Sequence, residues 1–307
     1  MNALPRLLAA TLLAATAAAA QAKLNVVATL PDFAAIAREI GGDQVKVTSL
    51  ALGTEDPHFV DAKPSFIRLL NQADVLIEGG AELEIGWLPP LVDSARNRRI
   101  IKGGPGRVDA SQGIRLLEVP TGPITRAQGD IHAAGNPHYT LDPLNGKIVA
   151  RNLCDCFCRL DEANCATYQR NLQTFTERLD AKVAEWMKLM APLKGAKLLT
   201  YHKNFVYLAE RFGLTVAGEI EPKPGIEPSP THIKELIQRL RGTGVKLVLY
   251  EPNRSARTPE YVASSIGAKA VMIPALIGGH PRAGDYIAYF DYVTGELRRA
   301  AGADAPP

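Results

Sequence analysis

The sequence predicts an α/β protein of two lobes, each built on a parallel sheet, joined by one long rigid backbone helix, with a binding site in the cleft between them. Three observations carry this. Short β-branched runs alternate with amphipathic stretches over residues 23–103, the spacing of parallel βαβ units. A second series of the same kind covers residues 196–301. Between the two, Tyr168, Leu172, Phe175, Leu179, Val183, Trp186 and Met190 recur at steps of three and four, the period of a single helix with one apolar stripe.

Residues 1–22 hold one Arg, an apolar Leu/Ala run and the ending Ala20-Gln21-Ala22. That is a secretory signal peptide, with cleavage expected before Lys23 and no cysteine at the junction to carry a lipid. The run is too short and Ala-rich for a membrane anchor, and no later segment approaches the length of a span. The mature chain is therefore expected to be soluble in the periplasm, where thiols can oxidise.

In the first lobe, expected to cover residues 23–163, strands are expected at 23–30, 44–52, 73–80 and 98–103, with helices at 32–42, 63–72 and 85–95 between them. The connecting helix is assigned to 164–192. From Asn164 to Met190 it would measure about 40 Å at 1.5 Å per residue, and Pro192 and Gly195 end it. A helical joint, unlike a glycine-rich linker, limits two lobes to small tilts. The second lobe, 193–307, repeats the alternation: strands at 196–202, 214–220, 245–251 and 269–275, helices at 204–213, 231–244, 258–267 and 285–301. Two segments break the pattern. Residues 108–143 lack regular periodicity, and 219–230 are proline-rich, so both are expected to be loops of the kind that carry function.

The 307 residues include 35 Lys and Arg against 32 Asp and Glu, a formal charge of +3. This balance argues against nucleic acid or an anionic membrane as the main partner and for something small or locally recognised. Three of the six histidines occupy equivalent places. His58 follows the second strand through Gly53-Thr54-Glu55-Asp56-Pro57, His138 lies in Gly135-Asn136-Pro137-His138-Tyr139, and His202 ends the first strand of the second lobe. Ligands of open α/β sheets sit beyond the carboxyl ends of the strands, so these three can meet in the cleft. Neutral imidazole suits zinc and other late first-row ions, and three of them leave one coordination position open. Two follow proline, which pre-sets the backbone there.

The chain resembles, along nearly all of its mature length, the metal-binding solute-binding proteins of ABC importers for zinc and manganese, the zinc-uptake and TroA-like group. Residues 56–65 (DPHFVDAKPS), 135–143 (GNPHYTLDP), 200–214 (TYHKNFVYLAERFGL), 223–230 (KPGIEPSP) and 284–292 (GDYIAYFDY) carry the resemblance. It implies two α/β lobes on a backbone helix, metal ligands at His58, His138 and His202, and no catalysis. It also implies an ABC importer permease in the inner membrane as partner of a monomer that binds no nucleic acid. The third histidine, where some relatives have Glu, resembles the zinc-type set; manganese, ferrous iron and copper are the alternatives. Many members carry an Asp as fourth ligand in a late strand, where this chain reads Ile273-Pro274-Ala275-Leu276-Ile277-Gly278. Alanine cannot ligate, so water, His280 or Asp285 is left to complete the shell, Asp285 being also a natural cap for the last helix. His132 is expected to be solvent-exposed and His232 to be structural.

A competing reading is a zinc hydrolase or hydratase that activates water at the open position. It needs a general base, for which only Glu55 and Glu251 stand near. A metal-buffering protein without a permease is a third. The four cysteines crowd into residues 154–165. On a helix Cys154 and Cys158 share a face while Cys156 points away, so three thiols cannot converge on one ion. A turn at residues 160–164 can fold Cys165 back on Cys158, and a disulfide forms there provided the Cα atoms lie within about 7 Å. Cys154 and Cys156 are expected to be small buried residues.

Overall fold

A computed structural model describes residues 23–122, 129 and 132–303, so the expected signal peptide lies outside the described residues. The first half contains β1 (Leu24–Ala28), α1 (Pro31–Gly41), β2 (Val45–Ser49), α2 (Pro64–Asn71), β3 (Val75–Glu78), α3 (Leu88–Ala95), β4 (Arg107–Asp109) and α4 (Asn145–Leu160). The long α5 (Cys165–Met190) follows. The second half contains β5 (Lys197–Thr200), α6 (Val206–Phe212), β6 (Thr215–Glu219), α7 (Pro230–Leu240), β7 (Val245–Tyr250), α8 (Arg257–Ile266), β8 (Lys269–Met272) and α9 (Tyr286–Ala300).

Local chemistry sets the boundaries. Proline occupies the first turn of α1, α2, α3 and α7, where its missing N–H costs nothing. The Ser229 hydroxyl caps α7 by accepting from His232 N, and the Asp285 carboxylate caps α9 by accepting from Ala288 N at 2.8 Å. Glycines in the left-handed region close α6 and α8, at Gly213 and Gly267.

Each half forms a four-stranded parallel sheet, in the orders β2-β1-β3-β4 and β6-β5-β7-β8. In both, the chain leaves the first strand to one side and returns to the other. Each sheet thus has a switch point beside its first strand, and the loops beyond the carboxyl ends diverge there to leave a crevice. Strands covered on both faces read as nearly unbroken apolar runs, as Val26, Val27, Ala28, Val75, Leu76 and Ile77 do, all fully buried.

The expected strand at 98–103 is not one. Those residues form turns that bury Ile100, and the edge strand comes later, at β4. Two adjacent isoleucines serve a buried turn as well as a strand, and the real edge strand is only three residues long, too short to show alternation.

The apolar stripe of α5 is buried through Tyr168, Phe175, Leu179, Trp186 and Met190. It packs on α1, α4 and α9. α9 lies across the first half: Phe175 meets the ring of Tyr286, Trp186 that of Phe290, and the Tyr286 hydroxyl donates to Thr140 O. One apolar core therefore runs from β1 through α5 and α9 to β5 and β7, with a smaller second core between the second sheet and α7 and α8. The halves also meet directly. A Cβ on Gly53 would lie 2.2 Å from Ile277 O, so only glycine lets these backbones touch. On the same seam Ile277 N donates to the buried Asp32 carboxyl at 3.1 Å.

Cys158 and Cys165 are joined in a disulfide, with Cα atoms 4.4 Å apart, and Cys154 and Cys156 are free and buried. The bond ties the end of α4 to the start of α5.

Candidate metal centre

The crevice gathers His58, from the loop after β2, His138, from the long segment after β4, and His202, just beyond β5. One ring nitrogen of each lies within 4.8 Å of the others, and all three are buried. Among the described residues this is the one such group, and no carboxylate or thiol joins it.

Two of the histidines are presented by the same short device. In Asp56-Pro57-His58 the Asp56 Oδ1 accepts from His58 N at 3.0 Å and holds His58 Nδ1 at 2.9 Å. In Asn136-Pro137-His138 the Asn136 Oδ1 accepts from His138 N and holds His138 Nδ1, both at 3.0 Å. Proline fixes the backbone between anchor and imidazole, and one oxygen fixes both the main chain and the ring. Each device is secured from outside. Trp87 Nε1 donates to Pro57 O, while Asn136 Nδ2 donates to Lys203 O and the Tyr207 hydroxyl donates to Asn136 O. His202 is held from a distance: its Nδ1 meets Glu221 Oε2, in the proline-rich loop after β6, at 2.7 Å.

An ionised carboxylate accepts and cannot donate, so Asp56 and Glu221 place the proton on Nδ1 of His58 and His202. The backbone N–H already bound to Asn136 Oδ1 marks that atom as the acceptor and does the same for His138. All three Nε2 lone pairs then face the common space. His138 Nε2 is buried without a hydrogen-bond partner, as suits a lone pair that an ion can take. The donor set fits a late first-row divalent cation, with the outer acceptors such sites use.

Electrostatics act unequally on the three rings. Burial, reinforced by neighbouring imidazoles, pushes His138 well below the ordinary histidine range, so it is neutral and ready to bind. Burial lowers His202 as well, but the hydrogen bond and charge of Glu221 outweigh it and hold it above 6.5. Burial raises Asp56, yet the hydrogen bond and charge of His58 bring it down to about 2. The Arg254 guanidinium lies between the two outer carboxylates, 3.2 Å from Asp56 and 3.0 Å from Glu221, over the face of Tyr201. Glu251 is buried beside them and raised by desolvation.

The imidazoles separate two spaces. In front, a cavity of about 230 Å³ is lined by His58, His132, His138, His202, Glu118 and Lys203. Behind, a pocket of only about 10 Å³ lies among His138, His202, Asn204, Glu251 and Ala275, room for about one water.

The other candidates fall elsewhere. His280 stacks on Tyr292 and accepts from Arg282 N, Asp285 caps α9, and neither belongs to the imidazole group. His232 bonds Ile220 O, a structural role. Glu55 accepts from Leu52 N within its own turn. His132 departs from expectation. It is half-buried, its Nε2 lies 3.2 Å from His58 Nε2, and burial followed by the charges of His58 and His202 lowers it to about 4. The next residue is pinned by the bond from Ala133 N to Glu82 Oε2, and the irregular sequence around His132 gives no hint of that placement. The outer anchors were legible in retrospect only as a repeated Asx-Pro-His; Glu221, nineteen residues from its histidine, had no such signal.

Three imidazoles converging at the carboxyl ends of two parallel sheets define a metal-binding protein of the two-lobed solute-receptor class. A family model described as the periplasmic zinc-uptake complex component A, ZnuA, matches residues 26–300, and the chain belongs to that family. The metal ABC transporter substrate-binding lipoprotein ScbA of Streptococcus cristatus is 29% identical over 246 residues, 78% of this chain and 76% of its own. A putative metal-binding protein of Treponema pallidum is 27% identical over 255 residues, 82% and 79% of the two chains. Among solved structures, a crystal structure of ZnuA superposes with a TM-score of 0.76 at 25% identity, covering 91% of this chain and 99% of that one. The chain is thus an extracytoplasmic substrate-binding protein of a metal ABC importer, working with a membrane permease and ATPase, and it is not an enzyme.

Proposed function

We propose that the chain captures zinc in the periplasm through His58, His138 and His202 and hands it, as a monomer released from its signal peptide, to an inner-membrane permease. The observation that carries this is the orientation of the three rings: each Nδ1 is held by an oxygen of Asp56, Asn136 or Glu221, which leaves three Nε2 donors on one point. An all-nitrogen set favours zinc over manganese, a harder ion that prefers carboxylate and water. Several relatives are named manganese ABC transporter substrate-binding lipoproteins, and the structure of FpvC from Pseudomonas aeruginosa has been solved in complex with Mn2+. Among the described residues the imidazole group includes no carboxylate, which supports zinc over a harder ion.

The deciding experiment is elemental analysis of protein taken from its native periplasm, joined to a zinc–manganese competition. Zinc at one ion per chain, not displaced by excess manganese, is the expected result. Single replacement of His58, His138 or His202 by Ala should remove most of the affinity, and His232→Ala should not. Retention of metal by all three variants would refute the assignment.

A further inference from the structure

The fourth coordination position has two possible approaches, and the structure treats them unequally. From behind, the pocket holds about 10 Å³ and is faced by the methyl of Ala275; Glu251 lines it but does not belong to the imidazole group. From the front stands His132. Its ring stacks on His58 with centroids 5.2 Å apart, and the two Nε2 atoms are separated by 3.2 Å. His58 Nδ1 carries the proton, so His58 Nε2 is the acceptor and His132 Nε2 the donor. The bond uses the lone pair that a metal would use.

We propose that His132 is the fourth metal ligand, completing a four-imidazole shell from the cavity side. This rests on the three-histidine reading above. At zinc–nitrogen distances of about 2.0–2.1 Å, neighbouring nitrogens of a tetrahedron stand roughly 3.3–3.4 Å apart. His132 is already at that separation from His58, although it reaches only His58 of the three. When a cation takes the His58 lone pair, the donated bond is lost and His132 Nε2 is left beside the ion with no partner. Loss of its proton to Nδ1 and a ring rotation then bring its own lone pair to bear, while the bond from Ala133 N to Glu82 keeps the segment at the rim. A side chain that lines the cavity thereby replaces the aspartate that Ala275 cannot provide.

The test compares wild type with His132→Ala and His132→Gln, using zinc for affinity by competition with a chromophoric chelator. X-ray absorption of the zinc forms and the visible spectrum of the cobalt forms report the shell. Four imidazoles in wild type and three plus an oxygen in both variants are expected. The affinity loss should be no smaller than the roughly 10–100-fold that removal of an outer-sphere partner costs. An unchanged imidazole count, or tighter binding by the variants, which would make His132 a competitor for His58, overturns the proposal. His58→Ala measured alongside separates the two levels of failure. If it binds zinc as wild type does, the three-histidine reading falls and this proposal with it; if it loses zinc while the His132 variants keep the wild-type shell, only this proposal falls.

Discussion

Asp32 offers the sharpest test of the seam between the halves. It sits in the first turn of α1, 1% exposed, and accepts from Ile277 N on the opposite half. Burial lifts its carboxyl from the ordinary 3.8 to about 7, against the opposing hydrogen bonds from Ile277, Thr140 and its own backbone. The fold therefore holds a proton that the unfolded chain gives up. Its stabilising effect is complete below about pH 3.8 and is lost as pH rises through 7. The whole span is on the order of 4 kcal/mol at about 1.4 kcal/mol per pH unit. Between pH 5 and pH 8 the change is about 2–3 kcal/mol. Asp32→Asn keeps an acceptor for Ile277 N and carries no charge at any pH. In urea unfolding of chelator-treated protein, the variant should gain on wild type by that amount from pH 5 to pH 8. The offset at pH 5 depends on how the second amide N–H is accommodated, so the slope is the readout; Glu84, also raised to about 7, is common to both proteins and cancels. Parallel stability profiles for the two proteins would refute the reasoning.

Asn136→Ala removes the oxygen that holds both His138 N and Nδ1, and zinc affinity measured by chelator competition, well below the unfolding midpoint that the lost bonds to Lys203 O and Glu118 should also lower, should fall by about 10–100-fold. On acidification from pH 7.5 to 5.5 the affinity should fall, because His202 is held above 6.5 and must shed its proton to bind. Buried His138 is neutral throughout, so at most two of the three ligands compete with protons, and a titration should show a slope below three protons per ion. The Cys158–Cys165 bond closes a short loop, with a separation of seven residues. Its removal by Cys165→Ser should cost about 2–3 kcal/mol in denaturant unfolding, and zinc stoichiometry should not change.

The sheets and α5 were legible because period and length spoke together: apolar, often β-branched strands of four to six residues, and an apolar stripe sustained from Tyr168 to Met190. β4 was not, since three residues carry no period. The three histidines announced themselves by position, two after proline and one at a strand end. What gives them their orientation was harder to read. Asp56 and Asn136 act within two residues and leave a repeated local pattern; Glu221 and Arg254 reach the site only because β6 and β7 lie beside β5, a neighbourhood set by pairing across the sheet. His132 is harder still, since a chain without periodicity gives no account of where it returns.

The Asx-Pro-His units have a consequence for how an ion leaves. His58 and His138 carry their anchors on their own side of the cleft, and His202 and Glu221 lie together on the other. A small tilt that parts the sides breaks the bonds from Asn136 Nδ2 to Lys203 O and from the Tyr207 hydroxyl to Asn136 O, but leaves each ring with the oxygen that orients it, and it draws His202 away from His58 and His138. Part of the chelate effect is then surrendered in one step, while the histidines left on the other side keep the orientation needed for the next capture.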